Sequence, residues 1–249
     1  MKLDFQGQTV LITGATRGMG KQFADDFAKL GANLILTGTD QNQIMDLNRE
    51  EKRYGQETKM YAVDFTDPES TKAFIEAVDA CPKIDVCINN AGINRINFID
   101  ETLLNDWKDM LNVNLEAPFM VTRAVSKIMK RNRYGRIINI ASIFGVISKA
   151  KRSIYTTTKF GLRGLTTASA IELASYNILV NSVSPGFVMT ELTKSILSEE
   201  EMKNLASQIP IGRFAEPDEI SRVVIFLASS LNTYLTGQNI VVDGGFIDV

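Results

Sequence analysis

Thr9-Val10-Leu11-Ile12-Thr13-Gly14-Ala15-Thr16-Arg17-Gly18-Met19-Gly20 decides the fold. A short β-forming run enters a turn with glycines at 14, 18 and 20. Phe23, Phe27 and Leu30 then recur at helical spacing, and Gly31 is a good stop. Strand, glycine turn and helix form a unit suited to phosphate. Glycine lets the backbone turn tightly and brings amides close to a pyrophosphate at the positive helix end. The spacing is G-x-x-x-G-x-G rather than G-x-G-x-x-G, so the turn alone also admits a purely structural role.

Outward from this unit, short β-branched runs recur at 34–37, 60–63, 86–88, 136–141, 179–183 and 240–242. Runs this short and apolar suit strands buried on both faces, as in a parallel sheet. Between them lie helical segments with start and stop signals. Asp40 with Gln43 and Ser198 with Glu201 read as capping boxes, and Asp67-Pro68 and Glu216-Pro217 as helix starts. Lys127, Lys130, Arg131 and Arg133 read as the end of a helix before Gly135, where cations complement the dipole. The alternation predicts an α/β fold: a single-domain, Rossmann-like, doubly wound parallel sheet with helices on both faces. Residues 1–249 are expected to form one dinucleotide-binding and catalytic domain.

Composition removes several function classes. There are 27 basic and 29 acidic residues, a net charge of −2, without the basic excess of a nucleic-acid or anionic-membrane binder. The longest apolar run, 223–228, is far too short for a membrane span. Asp4, Gln6 and Gln8 break any apolar leader segment. The absence of histidine excludes imidazole catalysis and any His-ligated metal. Cys81 and Cys87 are too few for a disulfide framework, and Cys87 reads as a buried, inert thiol. The expected setting is cytoplasmic. Acid–base chemistry falls to Tyr, Lys, Ser, Asp or Glu.

The second strand speaks to which dinucleotide is bound. An acid at its end would favour NAD, whereas a nearby cation accommodates a 2′-phosphate. Here the strand ends Leu36-Thr37-Gly38-Thr39, and Asp40 is better explained as a helix cap. Arg17 is the available cation and Thr39 adds a hydroxyl. The balance predicts NADP(H), with NAD(H) the other cofactor the turn admits.

Of the 6 tyrosines, only Tyr155 has a lysine four residues on, Lys159. On a helix this spacing puts both side chains on one face. A phenol ordinarily titrates near pH 10, and a nearby ammonium favours its phenolate. An ordinary amphipathic pair has the same spacing. Ser142, however, lies just past the run 136–141, at the strand edge where open α/β sheets bind ligands. It can donate to a substrate oxygen or serve as a turn residue.

Together these motifs resemble the short-chain dehydrogenases/reductases, over essentially the whole chain. The resemblance rests on Thr13-Gly14-(x)3-Gly18-x-Gly20, Asn89-Asn90-Ala91-Gly92, Ser142, Tyr155-(x)3-Lys159 and Pro185-Gly186. The general likeness is to bacterial 3-oxoacyl-acyl-carrier-protein reductases. It implies Tyr155 as general acid or base, Lys159 lowering its pKa and holding the nicotinamide ribose, and Ser142 polarising the carbonyl. It implies Asn114 as the holder of a relay water. Gly14, Arg17, Gly18, Met19, Gly20 and Thr39 would bind the cofactor through the turn and the 2′-phosphate. Asp64 and Phe65 would meet adenine, and Asn90, Ala91 and Gly92 the adenosine ribose. Pro185, Gly186, Val188 and Thr190 would position the carboxamide, with 189–197 a substrate lid. The family also implies a homo-tetramer or homodimer.

The loop before Tyr155 departs from the acyl-carrier reductases, which usually carry small residues there. It reads Ser148-Lys149-Ala150-Lys151-Arg152-Ser153-Ile154, either a solvated loop or a contact for an anionic substrate. Expected substrates are therefore small-molecule or carrier-bound carbonyls. Sugar-derived and hydroxy-acid anions are the alternative, and a non-catalytic dinucleotide sensor or scaffold is a reading of another class.

Overall fold

The computed structural model describes residues 3–49 and 57–248; Met1 and Lys2, part of the stretch read for a leader, lie outside them. Strand and helix alternate as β1 (Thr9–Ile12), α1 (Gly18–Lys29), β2 (Asn33–Gly38), α2 (Gln41–Arg49), β3 (Thr58–Ala62), α3 (Pro68–Asp79) and β4 (Val86–Asn89). Then follow α4 (Leu104–Leu111), a π turn (Asn112–Glu116), α5 (Ala117–Asn132), β5 (Gly135–Ile140), α6 (Ser153–Leu173) and β6 (Ile178–Pro185). The chain closes with α7 (Glu191–Ile196), α8 (Glu199–Ala206), α9 (Pro217–Ala228) and β7 (Asn239–Val242). Among the described residues the strands form one parallel sheet in the order β3-β2-β1-β4-β5-β6-β7.

The order reverses between β1 and β4, which leaves a crevice outside their carboxyl ends. Helices cover both faces. Phe5, Phe23 and Phe27 pack with Ile220 and Val224 on one side, where Phe5 and Phe27 meet edge-on at 4.8 Å. Phe74, Val121, Val125 and Ile128 fill the other. Every residue of β5 and β6 is buried, as their apolar runs require.

The local signals act as read except at α2, where the described residues show only the Asp40 half of the expected capping box. Asp40 accepts from the amides of Asn42 and Gln43 at 2.9 and 3.0 Å. Asp67 caps α3 with Pro68 in its first turn, and full capping boxes open α8 and α9. Helix α5 ends at Asn132 with Lys130 and Arg131 in its last turn, and Arg133 follows in the left-handed region. Cys87 is fully buried, and burial raises its thiol. One boundary differs from expectation. β1 stops at Ile12; the Thr13 amide still donates to the Ile88 carbonyl at 3.0 Å, and its hydroxyl accepts from the amides of Asn90 and Ala91, both at 3.0 Å.

Candidate active site

The glycine turn sits at the crevice. Gly14 adopts φ 66, and its amide donates to the Thr37 hydroxyl at 3.0 Å. At Gly20 a Cβ would lie 2.1 Å from the Gly14 carbonyl oxygen and 2.5 Å from Asn90 Nδ2. Only glycine fits there, so α1 can begin hard against the strand. Arg17 precedes α1 without a side-chain cap, and the first turn holds no acid. The positive end of α1 thus stays open to an anion.

A groove runs along these amides. It is lined by Gly14, Arg17, Gly18, Met19 and Gly20 of the turn, by Thr39, and by Asp64 and Phe65. Asn90, Ala91 and Gly92 form another wall, with Thr190. Thr16, Thr37, Thr66, Ile93 and Val113 also line it, and the sequence motifs did not single these out. Arg17 and Thr39 are both exposed at the rim. An acid at Gly38 would put its Cβ 2.3 Å from Thr16 Cγ2 and 3.1 Å from Ile44 Cδ1. Asp64 accepts from the Thr66 amide at 2.9 Å and from its hydroxyl at 2.7 Å, an Asx turn that holds the end of β3 open.

Further along the strand edge, Ser142 takes the turn role foreseen for it. Its hydroxyl accepts from the Phe144 amide at 3.1 Å and also interacts with the Tyr155 phenol. Lys159 is buried beneath, its ammonium donating to the Ile140 carbonyl at 2.9 Å and lying 5.5 Å from the Tyr155 ring centre. Burial lowers Lys159 to about 8. Burial raises Tyr155, while Ser142 and the Arg152 guanidinium pull it down. Arg152 thus joins Lys159 as a cation beside the phenol. Lys159 has committed one of its three N–H donors to the Ile140 carbonyl.

Asn114 lies in the π turn, a distortion common at functional sites. Its amide is engaged on both sides: Oδ1 accepts from Ile93 N, and Nδ2 donates to the Ile93 carbonyl, both at 2.8 Å. Nδ2 also reaches the Thr158 hydroxyl at 3.2 Å. Gly92 brings the groups together, since a Cβ there would lie 3.5 Å from Asn114 Oδ1 and 3.7 Å from Lys159 Nζ. Below them sits a buried polar chain that the motifs did not reveal. Asn89 donates to Asn139 at 2.8 Å and to Thr122 at 3.2 Å, and Asn139 donates to Thr166 at 2.8 Å. The signal was an asparagine inside each of two apolar strand runs.

The remaining expected residues flank the groove. Pro185 ends β6, and the Gly186 amide donates to the Val242 carbonyl at 2.9 Å. Val188 is buried and bridged to Ala215. Pro185, Gly186, Val188, Tyr155 and Lys159 do not line the groove, whereas Thr190 does. A Cβ at Gly18 would lie 3.7 Å from Thr190 Cγ2, so α7, which Thr190 caps, begins over the turn.

Known proteins match the chain over nearly its whole length. A family model described as enoyl-(acyl carrier protein) reductase matches residues 14–247. The 3-oxoacyl-[acyl-carrier-protein] reductase of Aquifex aeolicus is 40% identical over 247 residues, 98% of this chain and 99% of that protein. The Vibrio cholerae reductase of the same name is 37% identical over 244 residues, 98% of each. A gluconate 5-dehydrogenase from Burkholderia cenocepacia, solved with NADP and tartrate, superposes with a TM-score of 0.91 at 31% identity, covering 99% of this chain and 97% of that one.

Proposed function

The chain belongs to the short-chain dehydrogenase/reductase family, and from that premise we propose that Tyr155, Ser142, Lys159 and Asn114 carry its chemistry on one catalytic domain. The protein is an oxidoreductase that transfers a hydride between NADP(H) and a ketone or secondary alcohol. In the reductive direction its substrate is a 3-oxoacyl-type or related ketone, small or carrier-bound.

The groove fits the cofactor. Gly20 has no room for a Cβ, the amino end of α1 is uncapped and free of acid, and Arg17 and Thr39 share the rim where a 2′-phosphate needs partners. The turn amides and α1 hold the pyrophosphate, Asp64 and Phe65 the adenine, and Asn90, Ala91 and Gly92 the adenosine ribose. Pro185, Gly186, Val188 and Thr190 hold the carboxamide. NADPH, when bound, supplies the hydride to the carbonyl carbon.

The side chains supply the rest. Ser142 donates a hydrogen bond to the substrate oxygen, and Tyr155 delivers the proton that turns it into a hydroxyl. Lys159 holds the nicotinamide ribose and the position of the phenol. Ile93 and Thr158 brace the Asn114 amide, and the second lone pair of its Oδ1 is available to the relay water. The observation that carries this reading is the placing of Lys159 at the carboxyl end of β5, its ammonium 2.9 Å from the Ile140 carbonyl and 5.5 Å from the Tyr155 ring centre.

An apolar patch of Leu111, Leu115, Phe119 and Leu165 supports a homodimer or homo-tetramer, and two free thiols support a cytoplasmic setting. NADPH oxidation with a panel of 3-oxoacyl thioesters and simple ketones tests the function. Turnover that is lost in Tyr155→Phe supports it. Tight NADPH binding without turnover of any ketone would favour the sensor reading.

A further inference from the structure

The loop before α6 carries three cations in four positions, Lys149, Lys151 and Arg152, and the fold separates them. Lys149 and Lys151 are exposed. Lys151 sits in the left-handed region at φ 67, with its ammonium 4.4 Å from the Phe98 ring centre. Arg152 turns inward. It immediately precedes α6, three residues before Tyr155, and its carbonyl accepts from the Thr156 amide at 2.8 Å. Its guanidinium carbon lies 5.2 Å from the centre of the Phe144 ring. That ring in turn meets Tyr155 edge-on at 6.3 Å. Guanidinium, phenyl and phenol line the Ser142 side of the site.

The guanidinium has no counter-ion among the described residues. Nη1 is enclosed and without a hydrogen-bond partner. Among the described residues no carboxylate pairs with Arg152, and the one ionisable group acting on it is the Tyr155 phenol. A half-enclosed cation with an unused donor is costly unless it meets an acceptor. Its planar fork matches a carboxylate.

We propose that Arg152 receives the carboxylate of the substrate, so that the ketone reduced here belongs to a small oxo acid presented as the free anion. The inference rests on the ketone-reductase reading above and narrows its substrate class. A thioester is uncharged at that end. The phosphate of a carrier's pantetheine arm lies many bonds from the carbonyl, out of reach of a guanidinium held beside the phenol.

The test uses one ketone with and without the charge: acetoacetate and its methyl ester, under NADPH oxidation. Wild type is expected to favour the anion in kcat/KM. Arg152→Gln should lower the anion-to-ester ratio by about tenfold or more, chiefly through KM, and Arg152→Lys should restore part of it. The ratio is the readout because removing a cation beside Tyr155 also alters proton transfer, which touches both ketones alike. Replacing Lys149 and Lys151 together with Gln should leave the ratio unmoved. A ratio unchanged in Arg152→Gln, or a wild-type preference for the ester, overturns the assignment and leaves ketone reduction standing. If wild type reduces neither ketone, the carboxylate site is judged by binding, and the reductase reading fails only if the thioester panel is also inert. Acetoacetate must then raise the Tm of the NADP-loaded wild type and not that of Arg152→Gln; equal shifts, or none, overturn it.

Discussion

Lys159 donates its ammonium to the main-chain carbonyl of Ile140 at 2.9 Å, which ties the first turns of α6 to the last residue of β5. One bond therefore sets the distance between the strand end that presents Ser142 and the helix that presents Tyr155. Its cost is an ammonium buried on all sides, and burial brings Lys159 down to about 8.

Stability should record that cost. Lys159 ordinarily titrates at 10.5 and in the fold at about 8. Between those values the unfolded chain binds more protons, so this contribution makes the protein more stable as pH rises. Tyr155, Cys81 and Cys87 act in the opposite sense, because burial raises all three. They are common to wild type and Lys159→Met and cancel in the comparison. Urea denaturation should show the wild-type-minus-variant difference moving in favour of wild type between about pH 8 and 10, on the order of 2 kcal/mol. A flat difference would mean that Lys159 is not held near 8.

Tyr155→Phe should lower turnover by roughly 10²–10⁴-fold. The ring and its edge contact with Phe144 survive, and the phenol does not line the dinucleotide groove. NADPH affinity, read by quenching or calorimetry, should change by no more than a few-fold. A variant still turning over near the wild-type rate would show that the proton comes from elsewhere.

Arg17→Ala should raise KM for NADPH about tenfold or more while moving KM for NADH little, and the NADPH effect should shrink with added salt. Gly38→Asp should not by itself convert the protein to NADH. The new Cβ would meet Thr16 Cγ2 at 2.3 Å, so both cofactors should weaken. Equal losses for the two cofactors in Arg17→Ala would remove the 2′-phosphate assignment.

What was legible in the sequence is what depends on near neighbours. Glycines at 14, 18 and 20 and the Tyr155–Lys159 spacing each state a local geometry, and the structure carries them out. The loop cations were not separable that way. Whether Lys151 or Arg152 turns inward depends on Phe98 and Phe144, the first of them remote in sequence. Nor could spacing reveal that Ile140 accepts the Lys159 ammonium, a contact across 19 residues. The pairing of Asn89 with Asn139 needs the β4–β5 register, which sets those two residues side by side.

That register supports the last prediction. Asn139 is fully buried, accepts from Asn89 and donates to Thr166 on α6, each at 2.8 Å. Thr166 lies two turns beyond Lys159 on the same helix, so the chain of amides helps hold the Tyr155 helix against the sheet. Asn139→Leu keeps the volume roughly but leaves donors and acceptors without partners, at about 1–3 kcal/mol for each group stranded. Asn89 keeps its bond to Thr122, and Thr166 keeps its bond to the Leu162 carbonyl at 2.8 Å. The loss should therefore sit at the low end, near 2 kcal/mol in urea denaturation. Thr166→Val in the Asn139→Leu background should cost less than in wild type, because its partner is already gone. Strict additivity of the two substitutions would show that the strand and the helix are held together without this chain.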